Sequence, residues 1–232
     1  MVNQDEQVYG EGPAMTDNLV PLPSGPRKAS KEVRRQQLIE ATIDILARRG
    51  YAATTLADVA KTAGLSGGIV NFHFESKEKL LVETLRSLAA EYRTNWRSAL
   101  AMAGNSPAER LEAILSADFN DVVCTPRKLA AWCAFWAEAQ SRPTYLEHCS
   151  ANDEEYQETI ARIVGEIIAE GQYPYDAARI ARGLEAMMEG IWLDMMTMQS
   201  PITREEGVKT VFASLAAFFP QHFTAEGARV RA

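Results

Sequence analysis

Apolar residues recur at three- and four-residue intervals along almost the whole chain, and no stretch alternates with the period of two that a half-buried strand requires. Leu38, Ile39, Thr42, Ile45 and Leu46 mark the inner face of a first helix, capped by Ser30 and ended at Gly50. Leu56, Val59, Ala60 and Ala63 mark a short second helix. Its cap is Thr55, with Asp58 placed three residues on to answer as a capping box, and Gly64 ends it. Ser66 opens a third helix running to about Phe74, and Ser76 caps a long fourth that reaches about Met102. Beyond it, Ser106-Pro-Ala-Glu109 reads as a capping box for a helix toward Val123. Thr125-Pro126 opens another helix through Trp132, Phe135 and Trp136 to Gln140. Pro143 begins an irregular link, Asn152 to Glu170 forms a further helix, and residues 176–199 form a Met-rich one. Thr203-x-x-Glu206 opens the last, through Phe212, Leu215 and Phe219. About nine helices make this an all-α fold.

The second and third helices are joined by a short turn containing Gly64, the arrangement of a helix-turn-helix. Val70 and Phe74, four residues apart, point inward together, whereas Gly68, Asn71 and Phe72 share the outer side with Gly67 beside them and His73 at the edge. Two glycines at the start of a helix each cost about 1 kcal/mol against alanine. That cost makes sense where a backbone must come close to something. Packing of two loose core helices is the plainer alternative for such a motif taken alone. The string TLADVAKTAGLS at 55–66 followed by HFESKEKLL at 73–81, however, resembles the DNA-binding domain of the TetR family of repressors over some fifty residues.

The resemblance implies roles position by position. Gly67, Gly68, Asn71 and Phe72 stand where the family faces base edges in the major groove, with Asn71 suited to a base-edge hydrogen bond and Phe72 to a thymine methyl. Thr54 or Thr55, Ser66, His73 and Lys77 stand where it touches phosphates, aided by helix N-termini. The implied partner is double-stranded operator DNA.

Charge sharpens this picture. The chain of 232 residues carries a net charge of −7, an unpromising sum for a DNA-binding protein. Its distribution is what matters. Residues 27–80 hold ten Lys or Arg against six acids, while residues 1–26 carry four acids and no base. The positive field is thus confined to the helix-turn-helix segment, including Lys28, Lys31, Arg34 and Arg35 at the start of the first helix. Residues 1–26, with four prolines and three glycines, read as a disordered extension. The expected organisation is then a DNA-binding domain over 27–75, a ligand-binding and dimerisation domain over 76–222, and a flexible tail over 223–232. No run approaches eighteen apolar residues and no secretion signal opens the chain, so no membrane partner and a cytoplasmic location are expected. Cys124, Cys133 and Cys149 match no metal-ligand spacing, and His73, His148 and His222 are isolated. Neither an enzyme nor a metal or other cofactor is expected.

The larger domain offers one candidate for chemistry. Trp132, Phe135 and Trp136 fall at i, i+3 and i+4 on one helix, Trp192 adds a fourth ring, and Tyr145 and Tyr156 are further possibilities. Asp118, Asp121, Glu138, Glu185 and Glu189 lie near them in sequence. Indole faces attract cations, and a few rings with one or two carboxylates make a receptor for a quaternary ammonium ion. Aromatic residues at helical spacing are also simply core. The segments AAWCAFWAEAQSRP at 130–143, GIWLDMM at 190–196 and ADFND at 117–121 resemble the BetI-type, choline-responsive branch of the same family. That resemblance implies a ligand site built on Trp132, Trp136 and Trp192, with Phe135, Asp121 and Glu189 next, and choline relieving repression of glycine betaine synthesis genes. Betaine, carnitine or another small ammonium compound stays open as ligand. A thiol sensor at Cys133 and a purely DNA-organising dimer are the remaining alternatives.

Two apolar stripes complete the reading. Ile180, Leu184, Met187, Met188, Ile191 and Met195 form one, and Val208, Val211, Phe212, Leu215 and Phe219 the other. Reading a palindrome takes two copies of a helix-turn-helix, and the TetR resemblance implies a homodimer paired through these two C-terminal helices.

Overall fold

A computed structural model describes residues 30–138 and 144–229, and the side chains of 144–146 lie outside that description. The expected disordered extension over 1–26 therefore falls outside it, as do Lys28, Gln140 and Pro143 and the side chain of Tyr145. The described residues form nine helices: α1 Lys31–Arg49, α2 Leu56–Ala63, α3 Gly67–His73, α4 Lys77–Met102, α5 Pro107–Ala117, α6 Pro126–Trp136, α7 Thr144–Gly171, α8 Ala177–Thr197 and α9 Arg204–Phe218. The all-α expectation holds.

Most boundaries follow from capping chemistry. The Oγ atoms of Ser30, Thr55, Ser76 and Thr125 each accept a hydrogen bond from the backbone N–H three residues on. Ser106 and Glu109 form the full reciprocal box. Gly64 ends α2 in the left-handed region, φ 64°, where its N–H closes the last turn. α5 ends at Ala117, short of the expected Val123, α6 ends at Trp136, short of the expected Gln140, and two helix starts also differ from expectation. α7 begins at Thr144, eight residues before Asn152, and Ser66 makes no side-chain cap bond to α3.

The helices enclose two cores. One gathers Leu38, Ile39, Leu46, Val59, Val70 and Phe74 from the first three helices with Leu80, Leu81 and Leu85 of α4. It also takes in Ala131, Trp132 and Phe135 of α6. The other is built from α4, α5, α7, α8 and α9 around Trp96, Leu111, Ile114, Ile163, Leu184, Phe212 and Leu215. α6 thus lies at the junction. Its Arg127 reaches α1, where Nη2 bonds Glu40 Oε2 at 2.6 Å and the Glu40 carbonyl at 3.0 Å, while Nε pairs with Asp44.

The final segment corrects the expectation of a flexible tail. Phe223–Thr224 (β1) and Gly227–Ala228 (β2) pair as a short antiparallel hairpin in the register Phe223↔Ala228. The Ala228 N–H donates to Glu112 Oε2 at 2.8 Å. Phe223 is 1% exposed and His222 3%. The hairpin exists because Phe223 is a large apolar side chain with room in the α5–α9 core. Periodicity could not reveal it, since two-residue strands are too short to show a period. Phe223→Ala is expected to destabilise the protein by about 3–5 kcal/mol, the usual cost of emptying a buried phenylalanine site. Urea denaturation checks this, and a loss below about 1 kcal/mol would return the segment to a loose tail.

Candidate functional site

The first site is the outer surface of α2 and α3. Val70 is fully buried and Phe74 nearly so, which turns Gly67, Gly68, Asn71 and Phe72 outward to solvent. Phe72 is 72% exposed, an uncommon placement for a phenylalanine, and Lys31 of α1 lies over its ring at 5.5 Å. A Cβ at Gly67 would meet nothing, and one at Gly68 only Ser66 Oγ at 3.9 Å. Packing among the described residues therefore gives no reason for either glycine. Ser66 is exposed with its hydroxyl unused by the helix, and Thr55 is exposed with Oγ1 engaged to Asp58. Lys77 opens α4, its ammonium tied to the Ala52 carbonyl at 2.9 Å over the Tyr51 ring. His73 is half-buried, packed edge-on against Phe72 with Nδ1 unpaired.

One expected contact does not fit this surface. Thr54 is 1% exposed and its hydroxyl donates to the Gly50 carbonyl at 2.8 Å, so it fastens the α1–α2 turn and is not offered to a phosphate. Arg35, counted among the basic residues at the start of α1, is paired with Glu83 and Glu32.

The second site is a cavity in the larger domain of about 80 Å³, far below the 300–1,000 Å³ of drug-sized pockets. Five rings line it: Tyr92 from α4, Trp132 and Trp136 from α6, Tyr156 from α7 and Trp192 from α8. Trp132 and Trp136 stack with centroids 6.3 Å apart, and Tyr92 meets Tyr156 at 5.7 Å and Trp192 edge-on at 6.0 Å. Asp118, Asp153, Glu185 and Glu189 supply carboxyl groups, Met188 fills one wall, and no lysine, arginine or histidine is among the described lining residues.

Asp118 is the centre of this arrangement. It is the C-cap of α5, 1% exposed, held from both sides. The Tyr156 hydroxyl donates to its Oδ2 at 2.6 Å, and the Trp192 indole N–H donates to its backbone carbonyl at 3.2 Å. Its Oδ1 has no hydrogen-bond partner. Burial pushes the carboxyl up to about 7, against the Tyr156 hydrogen bond and the nearby Tyr92 hydroxyl, which pull it down. Glu189 sits at the rim, exposed as a residue, with its carboxyl raised by partial burial and by Glu185 alongside. Glu185 in turn accepts from Gln157 Nε2.

Two expected ligand residues lie elsewhere. Asp121, three residues after Asp118, points to the surface and pairs with Arg204, because the chain turns out of α5 between the two. Phe135 faces the other side of α6 and packs edge-on against Tyr51 at 5.8 Å. Conversely, Tyr92, Asp118, Asp153, Tyr156 and Glu185 join the cavity, and only Asp118, Glu185 and Tyr156 among them had a signal in sequence, their nearness to the expected rings. Tyr92 is four helical residues from Trp96 on α4, with nothing local to mark it. The three thiols are all held up by burial, Cys124 to about 11 and Cys149 to about 12 with Cys133 also raised, which depletes the reactive thiolate.

The stripes expected for pairing are mostly interior. Leu184, Met188, Ile191, Val211, Phe212, Leu215 and Phe219 are buried within the protomer. Among the residues that α8 leaves exposed are Gly183, Ala186, Gly190 and Leu193, at heptad-like spacing, and among those of α9 are Thr210, Ala213 and Ala217. A Cβ at Gly183 or Gly190 would meet nothing within 4 Å.

Comparison with known proteins identifies the family of both parts of the chain. Residues 38–84 match the family described as bacterial regulatory proteins of the tetR family, and residues 107–220 match the BetI-type transcriptional repressor C-terminal family. The chain is 34% identical over 169 residues to the HTH-type transcriptional regulator BetI of Stenotrophomonas maltophilia, an alignment covering 72% of this chain and 84% of that protein. A transcriptional regulator of Pseudomonas aeruginosa superposes with a TM-score of 0.72 at 26% identity, covering 83% of this chain and 93% of that one. A regulator of Saccharomonospora viridis, solved in complex with choline, superposes with a TM-score of 0.69 at 21% identity over 80% of this chain and 96% of its own. No described helix is long and apolar enough to cross a membrane. The chain belongs to the TetR family of DNA-binding transcriptional regulators and carries a BetI-type C-terminal domain.

Proposed function

We propose that this repressor binds a palindromic operator as a dimer and is released from it by a small quaternary ammonium ion, choline above all, so that it governs choline uptake and glycine betaine synthesis genes. The observation that carries the reading is the cavity of five rings around a buried carboxyl, without a basic residue among its described lining. A trimethylammonium group has no N–H to satisfy and spreads its charge over methyl groups, so it gains about 2 kcal/mol or more from each desolvated indole face it meets. Asp118 supplies the counter-charge. The choline-bound regulator of Saccharomonospora viridis shares the fold and supports the same choice.

Release follows from the place of α6. Trp132 and Trp136 line the cavity, whereas Phe135 and Arg127 of the same helix hold Tyr51, Glu40 and Asp44 of the DNA-binding segment. A ligand that draws the two indoles inward moves the contacts that set the angle of α1. Tenfold weaker operator binding requires the ligand to prefer that second arrangement by about 1.4 kcal/mol. A thiol sensor at Cys133 has the raised thiol against it.

Choline is accordingly expected to lower operator affinity at least tenfold in a mobility-shift titration, with ethanolamine far weaker because its ammonium keeps its water. Trp136→Ala or Trp192→Ala should remove the response, with ligand-free operator binding as the fold control. Calorimetry showing no heat for choline, together with an unmoved DNA shift, would sink the choline assignment.

On the DNA side, Asn71 reads bases and Lys77 holds a phosphate. Lys77→Ala should weaken binding to every sequence by a similar factor and flatten its salt dependence by about one counterion, whereas Asn71→Ala should change which bases are preferred. Selection of binding sites from a random pool decides it, and an unchanged preference for Asn71→Ala removes that residue from the reading face.

The dimer forms on the exposed small-residue face of α8 and α9. Two glycines within a helix cost about 2 kcal/mol together, which nothing in the protomer offsets and a closely packed second copy does. Gly190→Leu or Leu193→Glu should give monomers in sedimentation with helical content unchanged, and a persistent dimer for both would move the interface.

A further inference from the structure

Among the described residues, Asp118 is enclosed by groups that are acidic or neutral. α4 presents Tyr92, α7 presents Tyr156 and Asp153, α8 presents Glu185 and Glu189, and the turn before α6 presents the Cys124 thiol. α6 contributes only the uncharged rings of Trp132 and Trp136. Oδ2 has its donor in Tyr156, and Oδ1 has none. An ionised carboxylate with one bare oxygen, buried beside other carboxyl groups, is among the most unfavourable arrangements a protein interior can hold. Two cations can relieve it: the ligand, or a proton.

We propose that the cage exchanges the one for the other, so that Asp118 carries a proton while the cavity is empty and gives it up to solvent when the ammonium ion enters. The inference rests on the ammonium reading of this site. Charge balances: one positive charge enters, one leaves, and no covalent bond other than the carboxyl O–H is broken. Choline has no group that titrates near neutrality, so any proton released comes from the protein. Burial that holds the carboxyl up to about 7 places the exchange in the range where intracellular pH varies.

The direction follows from linkage. The ligand prefers the ionised carboxyl, so raising the pH strengthens binding until the group is fully ionised, after which affinity is level. The regulator is then released by less choline in alkaline than in acidic surroundings. It reports the product of two signals, the ammonium compound and the pH.

The test is choline titration of the full-length protein by calorimetry from pH 5.5 to 8.5, in buffers of different ionisation heat. Choline affinity is expected to be about tenfold weaker at pH 6 than at pH 8, with close to one proton released at pH 6 and almost none at pH 8. Asp118→Asn mimics the protonated state and should bind choline weakly, with a flat pH profile and no proton release. Glu189→Gln should keep the wild-type slope. Should Asp118→Asn fail to fold, the infrared band of a protonated carboxyl in the ligand-free wild type at pH 6, lost on adding choline, carries the same information. Choline binding with pH-independent affinity and no proton release overturns the exchange and leaves the ammonium reading standing. A slope that survives in Asp118→Asn, or disappears in Glu189→Gln, overturns the assignment to Asp118. Absence of choline binding at every pH overturns the ammonium reading itself.

Discussion

The junction between the two cores depends on α6, a helix of eleven residues that belongs to both. Its apolar residues are divided between two masters: Trp132 and Trp136 border the cavity, while Phe135 closes the core of the DNA-binding segment against Tyr51. Arg127 adds a charged clasp onto Glu40 and Asp44 of α1. Half-buried bidentate pairs of this kind fix geometry more than they add stability. Because close-packed interiors do not deform gradually, a displacement of the two indoles must be taken up by the whole helix and passed to α1. A regulator needs such a shared element, since two domains with separate cores and a loose linker would have no means of sensing each other.

This sharing also explains where reading from sequence succeeded and failed. The helix-turn-helix was legible down to single caps, because Thr55, Gly64 and Ser76 act on the backbone within four residues of themselves and their chemistry is local. The split of α3 into an inward pair, Val70 and Phe74, and an outward face is likewise fixed by the 3.6-residue period. Thr54 and Thr55 could not be separated by pattern alone, as both stand next to a helix start. Which one is buried depends on the turn from Gly50, where the hydroxyl of Thr54 finds its acceptor.

Periodicity finds an apolar face but not what covers it. Phe135 lies about one turn from Trp132 and next to Trp136, yet it faces Tyr51 and not the cavity, because α6 has neighbours on both sides. The same limit applies to the two stripes expected for pairing, which are mostly buried within the protomer. On α9, Phe212 and Leu215 are consumed within the protomer, while Thr210, Ala213 and Ala217 stay outside. In a two-layered helical domain the strongest stripe is spent on the first partner met, which is the chain itself.

Asp118 and Asp121 show the finer limit of reading carboxylates by proximity. Both follow α5 within four residues, and Asp121 is the nearer of the two to the aromatic helix in sequence. The end of α5 separates them: Asp118, as C-cap, is still directed by the helix, and Asn95 of α4 fixes that end through the Ala117 carbonyl at 2.9 Å. Asp121 lies past the turn and is turned to solvent and Arg204. The consequence is energetic as well as geometric. A carboxyl at the surface is a weak ion-pair partner screened by salt, whereas the same group sealed among indoles and tyrosines is a strong and selective one, because low polarity magnifies both its attraction for a cation and its reluctance to stand charged alone. The affinity of such a cage and its dependence on protonation therefore have one origin, and any change that admits water to Oδ1 weakens both together.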